Sequence, residues 1–173
     1  MARSADLVTA VIKAYDVRGV VGEQIDEDFV RDVGASFARL VGSEGADRVV
    51  IGHDMRDSSP ALAAAFADGV VARGLDVVHI GLASTDQLYF ASGRFDCPGA
   101  MFTASHNPAR YNGIKLCRAG AKPVGQDSGL ATITADVIEG MPAADGPRGE
   151  ITTRDVLGDY AEFVRTLVDI TSI

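Results

Sequence analysis

The sequence predicts an α/β fold, a three-layer α/β/α sandwich around a mixed, mostly parallel sheet. Three observations carry this. Short runs rich in β-branched residues alternate with segments whose apolar residues recur every three or four positions, in the order strand, helix, strand, helix, strand. Parallel neighbours need a crossover that a helix usually supplies, so this alternation puts helices on both faces of one sheet. The length of 173 residues suits one core, and 47% hydrophobic with 23% charged residues is ordinary for a globular chain.

From Asp26 to Val41, Phe29, Val33, Phe37 and Leu40 follow helical spacing, with acidic residues in the first turn and Arg39 in the last; Gly42 ends this helix. Arg48 to Ile51, bounded by Gly52, suits a buried strand. Ser59 is the expected N-cap of the next helix and Pro60 its first residue, where a missing N–H costs nothing. Leu62, Phe66 and Val70 form its face, and Gly74 closes it. Val77 to Ile80 reads as a strand, Thr85 to Ser92 as a helix, Gly99 to Thr103 as a third strand and Ile114 to Cys117 as a further one. Gly129 to Ile138 follows as a helix. Gly140 to Glu150, holding two Pro and three Gly, reads as a loop or linker, and Val156, Tyr160, Phe163, Val164 and Leu167 make a closing amphipathic helix. No internal repeat is present.

A net charge of −8 argues against a general nucleic-acid binder, because phosphate backbones need clustered Lys and Arg. Any anionic ligand must be held locally. No apolar run approaches the roughly 20 residues that span a bilayer, and Met1 to Lys13 lacks the apolar stretch of a secretory signal, so a cytoplasmic protein without membrane partners is expected. Cys97 and Cys117 are too few for a disulfide scaffold or a zinc site and are expected to be reduced.

The densest set of reactive residue types is Thr103-Ala104-Ser105-His106-Asn107-Pro108, directly after a predicted strand, where α/β sheets tend to bind ligands. Pro108 disfavours helical backbone at Asn107 and Asn112-Gly113 adds a second turn signal, so Ser105 is expected at the apex of a constrained loop. Residue chemistry alone reads this loop as a polar turn, and Arg18 and Lys115 as solvated charges. Consecutive side chains of an extended backbone point to opposite sides, which sets Ser105 and His106 apart and argues against a serine-hydrolase triad. His53 and His79 read as structural or solvated. Neither Gly-X-Gly-X-X-Gly nor a Walker-type loop marks a nucleotide site.

Thr103 to Pro108, followed by Tyr111-Asn112-Gly113-Ile114-Lys115-Leu116, closely resembles the phosphoserine signature of the phosphohexomutases. Ala14-Tyr15-Asp16-Val17-Arg18-Gly19 resembles that family's N-terminal motif. Gly52-His53-Asp54-Met55-Arg56, followed by Ser58-Ser59-Pro60, resembles its second. The three matches stand in family order and the resemblance runs from about Lys13 to Asp169.

The resemblance implies a catalytic set of Ser105, Lys115 and His106. Ser105 would carry a phosphoryl group that it gives to a hexose 1-phosphate or 6-phosphate and takes back from the bisphosphorylated intermediate. Lys115 would serve as general acid/base, and Tyr15, Arg18, His106 and Asn107 would line the phosphate region. It also implies Mg²⁺, ligated in part by the phosphate on Ser105, and hexose 1,6-bisphosphate as activator. The family's other Mg²⁺ ligands and its sugar-selecting residues belong to domains II to IV, whose segments are not in this sequence. Residues 1–150 are therefore expected to form the serine-bearing first domain and 151–173 a terminal helix leading towards the second, with negligible mutase activity for the chain alone. An apolar interface exposed by the missing domains is expected to promote self-association. A stand-alone sugar-phosphate-binding or regulatory module is the alternative. His53 stands where the family often has Arg, and Asp86 where Pro is common; neither is expected to touch the serine loop. Thr103 leans towards phosphomannomutase or phosphoglucomutase rather than phosphoglucosamine mutase, without separating mannose from glucose.

Overall fold

A computed structural model describes residues 3–168. In chain order the elements are α1 (Ala5–Val11), β1 (Val17–Val20), α2 (Glu27–Ser43), β2 (Arg48–His53), α3 (Ser59–Val71), β3 (Asp76–Leu82), α4 (Thr85–Phe95), β4 (Gly99–Phe102), β5 (Tyr111–Arg118), β6 (Lys122–Pro123), α5 (Leu130–Glu139), β7 (Ile151–Thr153) and α6 (Leu157–Leu167), with 3-10 turns at Ala119–Ala121 and Gln126–Ser128. The strands form one sheet ordered β1-β5-β4-β2-β3-β7, with β6 paired to β5. Parallel pairing joins β4, β2, β3 and β7, whereas β5 is antiparallel to β1, β4 and β6. Only β5 therefore runs against the rest, which is the mixed, mostly parallel sheet expected. Its reversal follows from its connection: a loop over residues 103–110 joins β4 to β5 as a hairpin, without a helical crossover.

Alternate residues of β2 supply two cores. Val49 and Ile51 join Phe29, Phe37, Leu62, Phe66, Ile133 and Phe102 on the face covered by α2, α3 and α5. Val50 joins Met101, Leu88, Ala91 and Val156 on the opposite, α4 face. Both sets follow from the strand period of two. The rings of Phe37, Phe66 and Phe102 form a line through α2, α3 and β4, with centroids 6.0 and 5.6 Å apart. It ends on the last residue of β4, directly before the serine loop.

Two glycines let α2 and α3 approach so closely. A Cβ on Gly34 would run into the Phe66 carbonyl and one on Gly69 into the Arg31 carbonyl. The predicted helices and strands form, although α2 runs on through Gly42 to Ser43 and α4 beyond Ser92 to Phe95, and the Asp26 carboxylate caps α2 by accepting from the Phe29 N–H at 2.6 Å. At α3 the expectation is corrected. The helix begins at Ser59 itself, after Ser58, and neither hydroxyl caps it; the Ser59 hydroxyl turns towards Asp54 and Asn112 instead.

Two further readings are corrected. Asn112-Gly113 is not a turn but lies inside β5, where Asn112 is fully buried. Residues 151–153 are not part of the terminal helix. They add β7 to the edge of β3, so the boundary expected at 150 falls beside a strand of the same sheet. The preceding loop is tied down, Gly149 N–H donating to the Val71 carbonyl at 2.9 Å and Glu150 N–H to the Asp76 carboxylate at 2.8 Å. α6 spans Leu157–Leu167, and residues 169–173 of the expected terminal helix lie outside the described residues. No helix among the described residues is long and apolar enough to cross a membrane.

Candidate active site

The serine loop leaves the C-terminal end of β4 beside the loop that leaves the end of β2, the region where α/β sheets hold ligands. Ser105 sits at its exposed apex with φ of +54°. A side chain in this left-handed region costs on the order of 1 kcal/mol, so surrounding bonds must hold it. They begin within the loop: Ser105 N–H donates to the Thr103 hydroxyl at 3.1 Å, Asn107 N–H to the Ala104 carbonyl at 3.1 Å, and the Asn107 side-chain amide to that carbonyl at 3.0 Å.

The left-handed turn overturns one expectation. Ser105 Oγ and His106 Nδ1 are 2.9 Å apart, within hydrogen-bond reach. Opposite orientation would follow from extended backbone, which Ser105 does not adopt. His106 can therefore exchange a proton with the serine oxygen. A triad still does not form, because among the described residues no carboxylate pairs with the His106 ring.

The N-terminal motif reaches the same end of the sheet through β1. Arg18 pairs with Gly113 on β5, and Thr103 N–H donates to the Gly113 carbonyl at 3.1 Å. Arg18 thus occupies the rung next to the start of the serine loop. A Cβ on Gly113 would collide with the Val17 carbonyl, so glycine permits this approach. Val17 and Ile114 turn into the α2–α3 core, which sends Arg18 and Lys115 to the opposite face. There both lean on Asp16, Arg18 Nη2 at 2.6 Å and Lys115 Nζ at 3.9 Å from one carboxylate oxygen. Asp16, which sequence reasoning did not single out, orients both cations. Arg18 Nε is buried without a partner among the described residues, a donor left over beside the site. Tyr15 is 80% exposed, against Gly125, free to meet a ligand from the outside.

Arg56, named so far only within the second motif, proves central. Its Nη1 donates to the carbonyls of Pro108 at 2.9 Å and Tyr111 at 3.1 Å, and its Nη2 to those of Ser105 at 3.0 Å and Asn107 at 2.8 Å. Its Nε donates to Asp54 at 3.2 Å. The loop carrying His53 therefore does touch the serine loop, through Arg56. Burial opposes ionisation of Asp54, yet hydrogen bonds from the Ser59 hydroxyl and Arg56 N–H, a Thr103 hydroxyl interaction and the Arg56 charge together hold its carboxyl below the usual range. Asn112 extends the network, its amide donating to the hydroxyls of Ser58 at 2.8 Å and Ser59 at 2.9 Å. An open depression of about 560 Å³, lined by Asp54, Arg56, Ser58, Ser105 and Asn107, lies beside the serine.

Other titratable groups stand apart. The rings of His53 and His79 lie 5.7 Å apart, and burial, aided by His53, lowers the pKa of His79. Cys97 and Cys117 are buried free thiols. Burial pushes Cys97 up to about 11 and raises Cys117. Among the described residues no group of three His, Cys, Asp or Glu is arranged to hold a metal ion.

Known proteins share both sequence and fold with this chain. Residues 9–141 match the family described as "Phosphoglucomutase/phosphomannomutase, alpha/beta/alpha domain I". "Phosphohexose mutases" of Xanthomonas campestris is 40% identical over 158 residues, covering 91% of this chain but 35% of that protein. A "Phosphomannomutase" of Klebsiella pneumoniae is 37% identical over 153 residues, covering 87% of this chain and 96% of that protein. The crystal structure of a phosphoglucomutase/phosphomannomutase family protein from Burkholderia thailandensis superposes with a TM-score of 0.85 at 31% identity, over 99% of this chain and 37% of that one. The chain thus spans about a third of the length of several relatives. On this sequence match and shared fold, the chain belongs to the phosphoglucomutase/phosphomannomutase family and has the fold of its α/β/α domain I.

Proposed function

We propose that this chain is the phosphoryl-carrying part of a phosphohexomutase that interconverts hexose 1-phosphates and hexose 6-phosphates, with Ser105 as the carrier. The single observation that supports this best is Ser105 itself: an exposed hydroxyl on a constrained left-handed apex, with His106 Nδ1 at 2.9 Å. In transfer to the sugar, a sugar hydroxyl attacks the phosphorus of phosphoserine, the bond to Ser105 Oγ breaks, and the hydroxyl proton passes to a base. Lys115, which accepts the proton in its neutral amine form, is proposed as that acid/base, with Asp16 3.9 Å from its Nζ. His106 returns a proton to the freed serine oxygen. Arg18, Tyr15 and the Asn107 side chain are proposed to meet phosphate oxygens, and hexose 1,6-bisphosphate to prime the serine.

Mg²⁺ would supply charge neutralisation at the transferring phosphoryl group. The residues described do not fit such an ion on their own, because a phosphate on Ser105 would be its one ligand here and Asp54 is committed to Ser59 and Arg56. Its remaining ligands, and sugar selection, are proposed to lie in domains II to IV of a longer protein.

A surface feature supports that incompleteness. Phe90, Tyr160, Phe163, Val164 and Leu167 line an open, largely apolar groove of about 790 Å³ between α4 and α6, with Leu167 63% exposed. The alternative is a stand-alone sugar-phosphate-binding or regulatory module without catalysis. A mutase assay with glucose 1-phosphate and mannose 1-phosphate, Mg²⁺ and the 1,6-bisphosphate separates them. Turnover by the natural protein but not by the 173-residue chain is expected; turnover by the chain alone would refute the claim of incompleteness, and none by either would favour the binding module.

A further inference from the structure

We infer that Arg56 is the positioning residue of the serine loop and not a phosphate ligand: its fork is saturated by the carbonyls of the loop and of Tyr111, and so sets the direction of Ser105 Oγ. A guanidinium has five N–H donors in a fixed plane. Here Nε serves Asp54, the two of Nη1 serve Pro108 and Tyr111, and the two of Nη2 serve Ser105 and Asn107. Each donor has one acceptor and none remains for a ligand.

The location makes this economical. Three carbonyls of a tight loop and that of Tyr111, the first residue of β5, converge on one point, and converging carbonyl dipoles repel unless a cation sits at their focus. Arg56 sits there with its side chain 11% exposed, and Asp54, 16% exposed, holds its Nε. Asp54 also accepts from the Arg56 backbone N–H at 3.1 Å and from Ser59 Oγ at 2.6 Å, which anchors the clamp to the start of α3. Chain reversal between β4 and β5 is thereby fixed from outside the hairpin. Because the Ser105 carbonyl is one of the four acceptors, its peptide plane is fixed, and with it the left-handed backbone that points Oγ at His106. Lysine keeps the charge but has three donors from a single point, so it cannot serve carbonyls on two prongs.

The functional consequence rests on the proposal that Ser105 carries the phosphoryl group, but the test does not. The ¹⁵N-labelled 173-residue chain and its Arg56→Lys and Asp54→Asn variants are compared by NMR. In Arg56→Lys the amides of Ser105 and Asn107 are expected to exchange roughly tenfold faster or more, the scale of one lost charge-assisted hydrogen bond. The His106 Nδ1 resonance is expected to move to that of a free imidazole, while core amides of α2 and α3 keep their rates. Asp54→Asn, which keeps the cation but weakens its anchor, is expected to show the same change at smaller size, and stands in if Arg56→Lys does not fold. Methylguanidinium added to Arg56→Ala is expected to restore the His106 resonance.

Loop exchange and His106 signals identical to the parent would overturn the inference. Equal acceleration of core amides would too, because the fork would then serve the whole fold. So would inorganic phosphate shifting the Arg56 Nη resonances of the parent, which would make Arg56 a ligand. A loop unchanged in the variants leaves the carrier proposal standing, whereas a loosened loop in a protein whose Ser105 is never phosphorylated sinks the carrier proposal alone.

Discussion

Replacing Asn112 by Ala tests whether the buried polar bridge between β5, α3 and the serine loop holds the site together. Asn112 is fully buried. Its amide nitrogen donates to Ser58 and Ser59, and its oxygen accepts from Gly113 N–H at 2.8 Å. Ser58 can turn to water and Ser59 retains Asp54, so the main loss is the stranded Gly113 donor. A buried donor without a partner costs about 1–3 kcal/mol, and the net loss of two further hydrogen bonds brings the total to about 3 kcal/mol. With an m-value of about 2 kcal/mol per M in urea, the unfolding midpoint is expected to fall by about 1.5 M. Urea denaturation followed by circular dichroism measures it. A loss below about 0.5 kcal/mol, the range of an ordinary surface substitution, would refute the reasoning, since the network would then be re-satisfied at no cost.

Two further outcomes follow from the same physics. Gly69→Ala should stabilise a bare helix by up to about 1 kcal/mol, but the Cβ would meet the Arg31 carbonyl; net destabilisation of about 2 kcal/mol or more is expected in a melt, and a gain would show that the helices are free to part. Cys97 is raised from 9.0 to about 11, so the folded chain keeps its thiol proton where the unfolded chain loses it. The resulting stability is complete below about 9 and lost as pH rises towards about 11. Urea midpoints across that window should fall more steeply in the parent than in Cys97→Ala.

Much of the fold was legible because periodicity reports burial. Phe29, Val33 and Phe37 announced α2, and the β-branched residues of β2 announced a strand whose alternate side chains fill both cores. What escaped was short or set by partners far along the chain. The four residues of β1 and the three of β7 owe their state to pairing with β5 and β3, although Val-Arg-Gly-Val and Ile-Thr-Thr carry a faint β signal. Asn112-Gly113 has turn chemistry, yet tertiary bonds to Ser58, Ser59 and Val17's strand hold it straight. At the site, residue chemistry alone read the Ser105 loop as a polar turn, and its resemblance to the phosphohexomutase signature marked it out. The contact between Ser105 and His106 was not legible, since it depends on a positive φ that no local rule assigns to serine. Arg56 lies 49 positions from the Ser105 carbonyl that it holds, and only its place in a short motif before α3 could have drawn attention to it.

Mass spectrometry of the natural protein from its source, recording the intact mass and the peptide that contains Ser105, tests the central proposal most directly. Phosphate on Ser105 in a chain much longer than 173 residues is the result expected. Unmodified Ser105 in a mature chain of this length would contradict it.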